Sequence, residues 1–188
     1  MSLKSGTFLI SEPFLGDANF ERSVVLVCHD SADEGTLGII LNRPLALKLA
    51  DVLPGPRAQQ APHLAHLPLF DGGPVGPDRL QFLHRAAALP GATALGEGMC
   101  WGGDFSVLLE QLFHQELAVS DVRLYVGYAG WSPGQLADER RRGSWITAPS
   151  APETVFSTPP AALWQTLLRR KGGRFKALSN YPADPRLN

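Results

Sequence analysis

Ser23-Val-Val-Leu-Val-Cys28 and Thr36-Leu-Gly-Ile-Ile-Leu41 are the two runs that decide the fold. Each is apolar at consecutive positions rather than at alternate ones, which is the pattern of a strand buried on both faces. The polar Asp30-Ser-Ala-Asp-Glu-Gly35 between them suits a hairpin connection, so the two runs are read as central strands.

Working outward, Gly6 to Ile10 reads as a first strand, ended by the loop Pro13-Phe-Leu-Gly-Asp17. After Asn42-Arg43-Pro44, the helical spacing of Leu45, Leu49, Val52 and Leu53 predicts a short helix that Pro54 terminates. Pro54 to Pro68 carries four prolines and no sustained periodicity, as a surface loop does. Leu67 to Phe70 resumes as a strand and runs into the turn Asp71-Gly72-Gly73-Pro74. Leu80 to His84 and Ala92 to Leu95 carry short strand signals. Asp104 can cap a helix in which Phe105, Leu108, Leu109, Leu112, Phe113 and Leu117 recur at three-and-four spacing. Val122, Leu124 and Val126 alternate with Arg123, Tyr125 and Gly127 in a half-buried strand that feeds Tyr128-Ala-Gly-Trp131. Ser132-Pro-Gly-Gln135 matches a capping box for a short helix stopped by Gly143. The last predicted helix begins at Thr158-Pro159, buries Leu163, Trp164, Leu167 and Leu168, and stops at Gly172.

The 188 residues fit one domain, 1–188, with hydrophobic residues at 44% and charged ones at 19%, enough apolar side chain for a packed core. Nineteen glycines and 16 prolines make it rich in turns. No apolar run approaches the roughly 18 residues of a membrane span, and Ser11-Glu-Pro13 interrupts any secretory h-region, so a cytosolic protein without membrane contact is expected. Cys28 and Cys100 are too few for a disulfide framework. The net charge of −1 hides an asymmetry: residues 1–138 carry −7 and residues 139–188 carry +6. A basic end of this kind can attract nucleic acid or an acidic partner, yet Arg140 to Arg142 and Arg169 to Lys171 fall where last helical turns favour cations. We take the second view and expect no sequence-specific nucleic-acid binding, because the helices predicted at 104–117 and 132–142 are separated by a strand and make no helix-turn-helix.

Catalytic signatures are absent. There is no nucleophile elbow or P-loop, and Gly96-Glu-Gly-Met-Cys-Trp-Gly102 lacks the spacing and βαβ context of a dinucleotide site. His63 and His66 have no acidic or thiol ligand at a recognised spacing, so neither metal nor cofactor is expected. Cys28 and His29 are adjacent in a strand and point to opposite faces, which disfavours an activated pair and favours a structural Cys with a surface His.

More specific is an ordered set of segments: Phe20-Glu-Arg-Ser-Val24, Gly35-Thr-Leu-Gly-Ile-Ile-Leu-Asn-Arg-Pro44, Gly72-Gly-Pro-Val75, Gly127-Tyr-Ala-Gly-Trp-Ser-Pro-Gly-Gln-Leu136 and Tyr181-Pro-Ala-Asp-Pro-Arg-Leu-Asn188. Together they resemble the AlgH/YqgE family over essentially the whole chain. The resemblance implies an α+β fold in which a mixed, branched β-sheet closes into a barrel-like core packed by helices. It also implies a transcriptional-regulator label inherited from genetic effects, with no catalytic residues and no cofactor. Where that family reads Gln-Leu-Glu-x-Glu and an apolar residue, this chain has Gln135-Leu-Ala-Asp-Glu139-Arg140.

The matched segments end strands, where binding groups sit on a rigid scaffold. They give a candidate ligand- or partner-binding set: Asn42, Arg43, Gly72, Gly73, Pro74, Tyr128, Trp131, Gln135 and Glu139. Tyr128 and Trp131 offer apolar area and a hydroxyl, Asn42 and Arg43 an amide and a guanidinium, and Gln135 and Glu139 share a helix face. The alternative is that the glycines and prolines only shape turns, Trp131 fills the edge of the core, and Asn42 and Arg43 satisfy backbone carbonyls. Three functions follow: a regulatory protein binding a protein partner or small ligand at a shallow cleft, a hydrolase-like enzyme using Glu139, Asn42 and Arg43, and direct DNA binding. The set lacks a nucleophile beside a base, which places binding ahead of catalysis.

Overall fold

The computed structural model describes residues 3–53, 61–86, 88–96 and 98–181. The central hairpin is β2 (Val24–Ser31) and β3 (Gly35–Ile40). β1 (Thr7–Ser11) lies against β2, and β10 (Trp145–Pro149) against β1, all antiparallel. On its other side β3 meets the end of β9 (Val122–Trp131), with Thr36 opposite Trp131. The start of β9 instead takes β5 (Pro68–Asp71) as a parallel neighbour on one edge and β6 (Val75–His84) as an antiparallel neighbour on the other. β6 continues to β8 (Cys100–Trp101) and β7 (Thr93–Ala94), and β5 to β4 (Pro44–Lys48).

The sheet is therefore mixed and branched, and β9 is the branch. At the fork, backbones approach too closely for side chains: a Cβ on Gly127 (φ +73°) would stand 2.3 Å from the carbonyl oxygen of Gly73. One on Gly73 (φ +140°) would stand 2.4 Å from the carbonyl carbon of Tyr128. Gly72 ties the two arms, donating to Val126 and accepting from the amide of Ile40 at 2.8 and 2.9 Å. The closure into a barrel that the family resemblance implied is not found: among the described residues the strand path is open, with β10 and β7 at its ends.

Consecutive burial along β2 and β3 is explained by cover on both faces. Phe8, Ile10, Val24, Leu26, Cys28 and Ile39 pack beneath Leu163, Trp164, Leu167 and Leu168 of α6 (Pro160–Lys171). Leu9, Val25, Val27 and Ile40 face the opposite way, toward Trp131, Trp145 and Leu136 of α4 (Gln135–Arg141). A third cluster sets Leu69, Phe82, Val122 and Leu124 of the other arm against Leu108 and Leu112 of α3 (Phe105–Phe113), with Leu49 and Leu64 from α1 (Leu49–Val52) and α2 (Pro62–Ala65).

Several expectations are corrected. The helix expected over Leu45–Leu53 is β4 followed by a single helical turn, because Pro44 and Lys48 pair with Phe70 and Pro68 and this tertiary pairing overrides the local spacing. The helix begun by Asp104, whose carboxylate accepts from the amides of Ser106 and Val107, stops at Phe113 rather than Leu117; Gln115 turns the chain at φ +58°. The Pro54–Pro68 loop contains α2, and its residues 54–60 lie outside the described residues, as do 182–188 of the last matched segment. β10, α5 (Pro152–Ser157) and α7 (Gly173–Leu178) had no sequence signal. Last-turn cations stand as expected: Arg140 and Arg141 on α4, and Arg169, Arg170 and Lys171 on α6. No helix among the described residues is long and apolar enough to cross a membrane.

Candidate functional site

α4 is held down by one side chain. The Glu139 carboxylate accepts the indole N–H of Trp131 at 2.9 Å and that of Trp145 at 2.8 Å on the same oxygen, Oε2. Its Oε1 accepts from Gln135 Nε2 at 3.0 Å, and Gln135 Oε1 in turn accepts the Ser132 amide at 3.0 Å. That last bond is the reach-back half of the expected capping box, although the helix proper starts only at Gln135. Phe20 covers the cluster, stacked 5.6 Å from Trp131 and edge-on 5.4 Å from Trp145. A carboxylate with three donors, two of them from buried indoles, is a structural tie more than a free base.

The remaining expected residues sit elsewhere. Asn42 spans the backbone before β2: its Oδ1 accepts the Val24 amide and its Nδ2 donates to the Arg22 carbonyl, both at 2.9 Å. Arg43 donates to the Ala18 carbonyl at 3.3 Å and lies 3.9 Å from the Asp71 carboxylate. Asn42 lies two residues past the end of β3, at the opposite end of that strand from Thr36, the partner of Trp131. Arg43 and Trp131 share one loop, in which the Ala18 carbonyl accepts from the guanidinium and Phe20 stacks on the indole. Tyr128 is three residues from Trp131 and so faces the other side of β9, over Val75 and Gly76. Gly72 and Gly73 form the fork, with Pro74 leading exposed into β6.

The flank of α4 adjoining the Glu139 face lines an open cleft of about 250 Å³ against the β2–β3 turn. Leu136, Ala137 and Arg140 form one wall, and Asp30, Ser31 and Thr36 the other. The Asp30 carboxylate accepts from the Leu3 amide and, on its other oxygen, from the Thr36 hydroxyl. Arg140 makes no ion pair or hydrogen bond through its guanidinium among the described residues, whereas its neighbour Arg141 pairs with Asp138. Sequence reasoning had Asp30 only in a hairpin turn and Arg140 only as a helix-end cation, so these two were missed as site residues.

Known proteins carry the same arrangement of elements. Residues 8–176 match the family model described as AlgH-like. The chain belongs to the AlgH-like family. Curated relatives within it include a UPF0301 protein of Cytophaga hutchinsonii, 42% identical over 188 residues, covering 99% of this chain and 100% of that one. Another, from Chlorobaculum parvum, is 38% identical over 187 residues, covering 99% and 96%. Two solved structures are similar to it over nearly its whole length. A crystal structure from Corynebacterium diphtheriae has a TM-score of 0.78 at 26% identity, over 95% of this chain and 93% of that one. The solution structure of the AlgH protein of Pseudomonas aeruginosa has a TM-score of 0.72 at 28% identity, over 95% and 94%.

Proposed function

We propose that this AlgH-like chain is a cytoplasmic binding protein of regulatory type, which takes a small ligand or a short segment of a protein partner in the cleft between the β2–β3 turn and α4. The observation that carries the reading is the division of labour on α4: one face is locked by Glu139 and the adjoining flank is left to line a preformed opening. Trp131, Gln135 and Glu139 then serve as supports that fix the cleft wall. The hydrolase reading is weakened by the same bonds, since the amide of Asn42 is engaged at both ends and Glu139 already holds three donors. A ligand-observed NMR screen of small polar metabolites against the full chain, followed by amide mapping, tests this. Bound compounds are expected to shift Ser31, Thr36, Gly134 and Ala137. Hits that map elsewhere, or turnover of ester, amide or phosphoester substrates, would overturn it.

A further inference from the structure

Resting on that reading, we infer that the cleft selects a small zwitterion, an α-amino acid with a compact apolar side chain, whose carboxylate meets Arg140 and whose ammonium meets Asp30.

The argument is one of unspent charge. Asp30 and Arg140 are the charged side chains in the described lining of the cleft, and they carry opposite signs. They form no ion pair with each other in the fold, so two complementary charges face one small opening. A carboxylate has about four acceptor positions. Asp30 uses one on each oxygen, for the Leu3 amide and the Thr36 hydroxyl, which fixes its orientation and leaves capacity for a further donor. The guanidinium of Arg140 presents a fork of N–H donors suited to a carboxylate and engages no carboxylate of the chain. A pure anion would meet the charge of Asp30, and a pure cation that of Arg140. A molecule bearing both charges satisfies both walls.

Size and the remaining lining narrow the class. A cleft of about 250 Å³ lies below the roughly 300 to 1,000 Å³ usual for drug-sized ligands, so the occupant has few heavy atoms. Leu3, Leu136 and Ala137 supply apolar wall, and the hydroxyls of Ser31 and Thr36 border it. That combination suits an aliphatic side chain of a few carbons beside the two charged groups.

The test is a ¹H–¹⁵N NMR titration of the full chain with L-valine, isovalerate and isobutylamine, three probes sharing a branched carbon frame. Saturable shifts at Ser31, Thr36 and Ala137 with L-valine are expected, with the carboxylate-only and amine-only probes at least tenfold weaker. Arg140→Gln, which removes no guanidinium hydrogen bond or ion pair among the described residues, should abolish the valine shifts while lowering the melting temperature by no more than the loss of one last-turn helix cation. Arg140→Lys should retain part of them. Isovalerate or isobutylamine binding as tightly as valine at the cleft would overturn the zwitterion assignment and leave the binding cleft standing. Undiminished valine shifts in Arg140→Gln would also overturn it. Absence of any cleft shift with these probes overturns the inference, and absence with the wider metabolite screen overturns the binding cleft as well.

Discussion

Trp131, at the end of β9, and Trp145, at the start of β10, stand perpendicular at 5.8 Å and donate both indole N–H groups to the same oxygen of Glu139. Neither strand is a hydrogen-bonded neighbour of the other, so this shared acceptor adds a polar tie to the apolar packing of Leu136 and Phe20 between the branch strand, an edge strand and α4.

Glu139→Gln keeps one oxygen for the two indoles but sets an amide N–H₂ against Gln135 Nε2 and replaces charge-assisted bonds by neutral ones. A loss of about 1 to 3 kcal/mol in urea unfolding is expected, with a changed tryptophan emission in the native state. Gln135→Ala, which removes only exposed bonds, should lose no more than about 1 kcal/mol. Equal stability of Glu139→Gln and the parent chain would contradict the tie.

The fork makes a sharper contrast. Gly127→Ala drives a Cβ to 2.3 Å from a carbonyl oxygen at positive φ, whereas Gly134→Ala (φ +80°) meets nothing within 4 Å. The first should lose about 3 kcal/mol or more, or fail to accumulate as folded protein, the second roughly 1 to 2 kcal/mol from the backbone conformation alone. Thermal melts of the pair decide it, and similar losses in both would remove the close approach as the cause.

The roles of Asn42 and Arg43 separate in the same way. Asn42→Ala strands an amide and a carbonyl in a half-buried position and is expected to lose about 1 to 3 kcal/mol. Arg43→Ala gives up one long hydrogen bond and one distant ion pair, so its loss should stay below about 1 kcal/mol. Chemical denaturation of both variants is the check, and a reversed order would show that Arg43 holds the 18–20 loop more firmly than its contacts indicate.

How far the sequence discloses this molecule depends on where each interaction is decided. β2 and β3 are legible because burial on two faces forces apolar residues at every position. Pro44-Leu-Ala-Leu-Lys48 reads equally as a helix start, and only β5, twenty residues on, makes it a strand. β10 is short and carries no clean alternation, so nothing local marks it. Within the site, Gln135 and Glu139 show themselves through four-residue spacing, but the meeting of Trp131 with Trp145 is a tertiary event. Ala137 and Arg140 both line the cleft, and only the fold brings Asp30 to the same opening. Tyr128 and Trp131 looked like an aromatic pair, and the two-residue period of the strand separates them.

Cys28 tests the burial of the central strand. It lies inside the sheet, donating weakly to the Leu26 carbonyl at 3.6 Å, and burial raises the pKa of its thiol far above the ordinary range. Cys100 is less buried, and burial raises its thiol pKa too. In native protein near neutral pH, alkylation followed by peptide mass spectrometry should find Cys100 labelled first and Cys28 only at the rate of unfolding. Rapid native labelling of Cys28 would mean that β2 opens.

His84 gives the pH dependence. The imidazole is fully buried at the end of β6, and its Nε2–H donates to the Gly102 carbonyl at 2.9 Å. Burial lowers its pKa below the ordinary 6.5, against the opposing effect of backbone hydrogen bonds to Gly102 and Ala86. Above about pH 6.5 the ring is neutral in both the folded and the unfolded chain and contributes no slope. As pH falls below that value the unfolded chain takes up a proton that the folded one refuses, so ν_U exceeds ν_N and unfolding becomes easier. The loss continues until pH reaches the depressed folded pKa, below which it is constant. Urea unfolding of the parent and of His84→Gln at about pH 8 and about pH 5 isolates this contribution from the carboxylates that both chains share. The variant should be less stable at the higher pH, and the gap should narrow at the lower one because only the parent carries the penalty. A gap that stays constant between the two would mean that His84 is protonated as readily in the fold as in water, and would overturn the assignment.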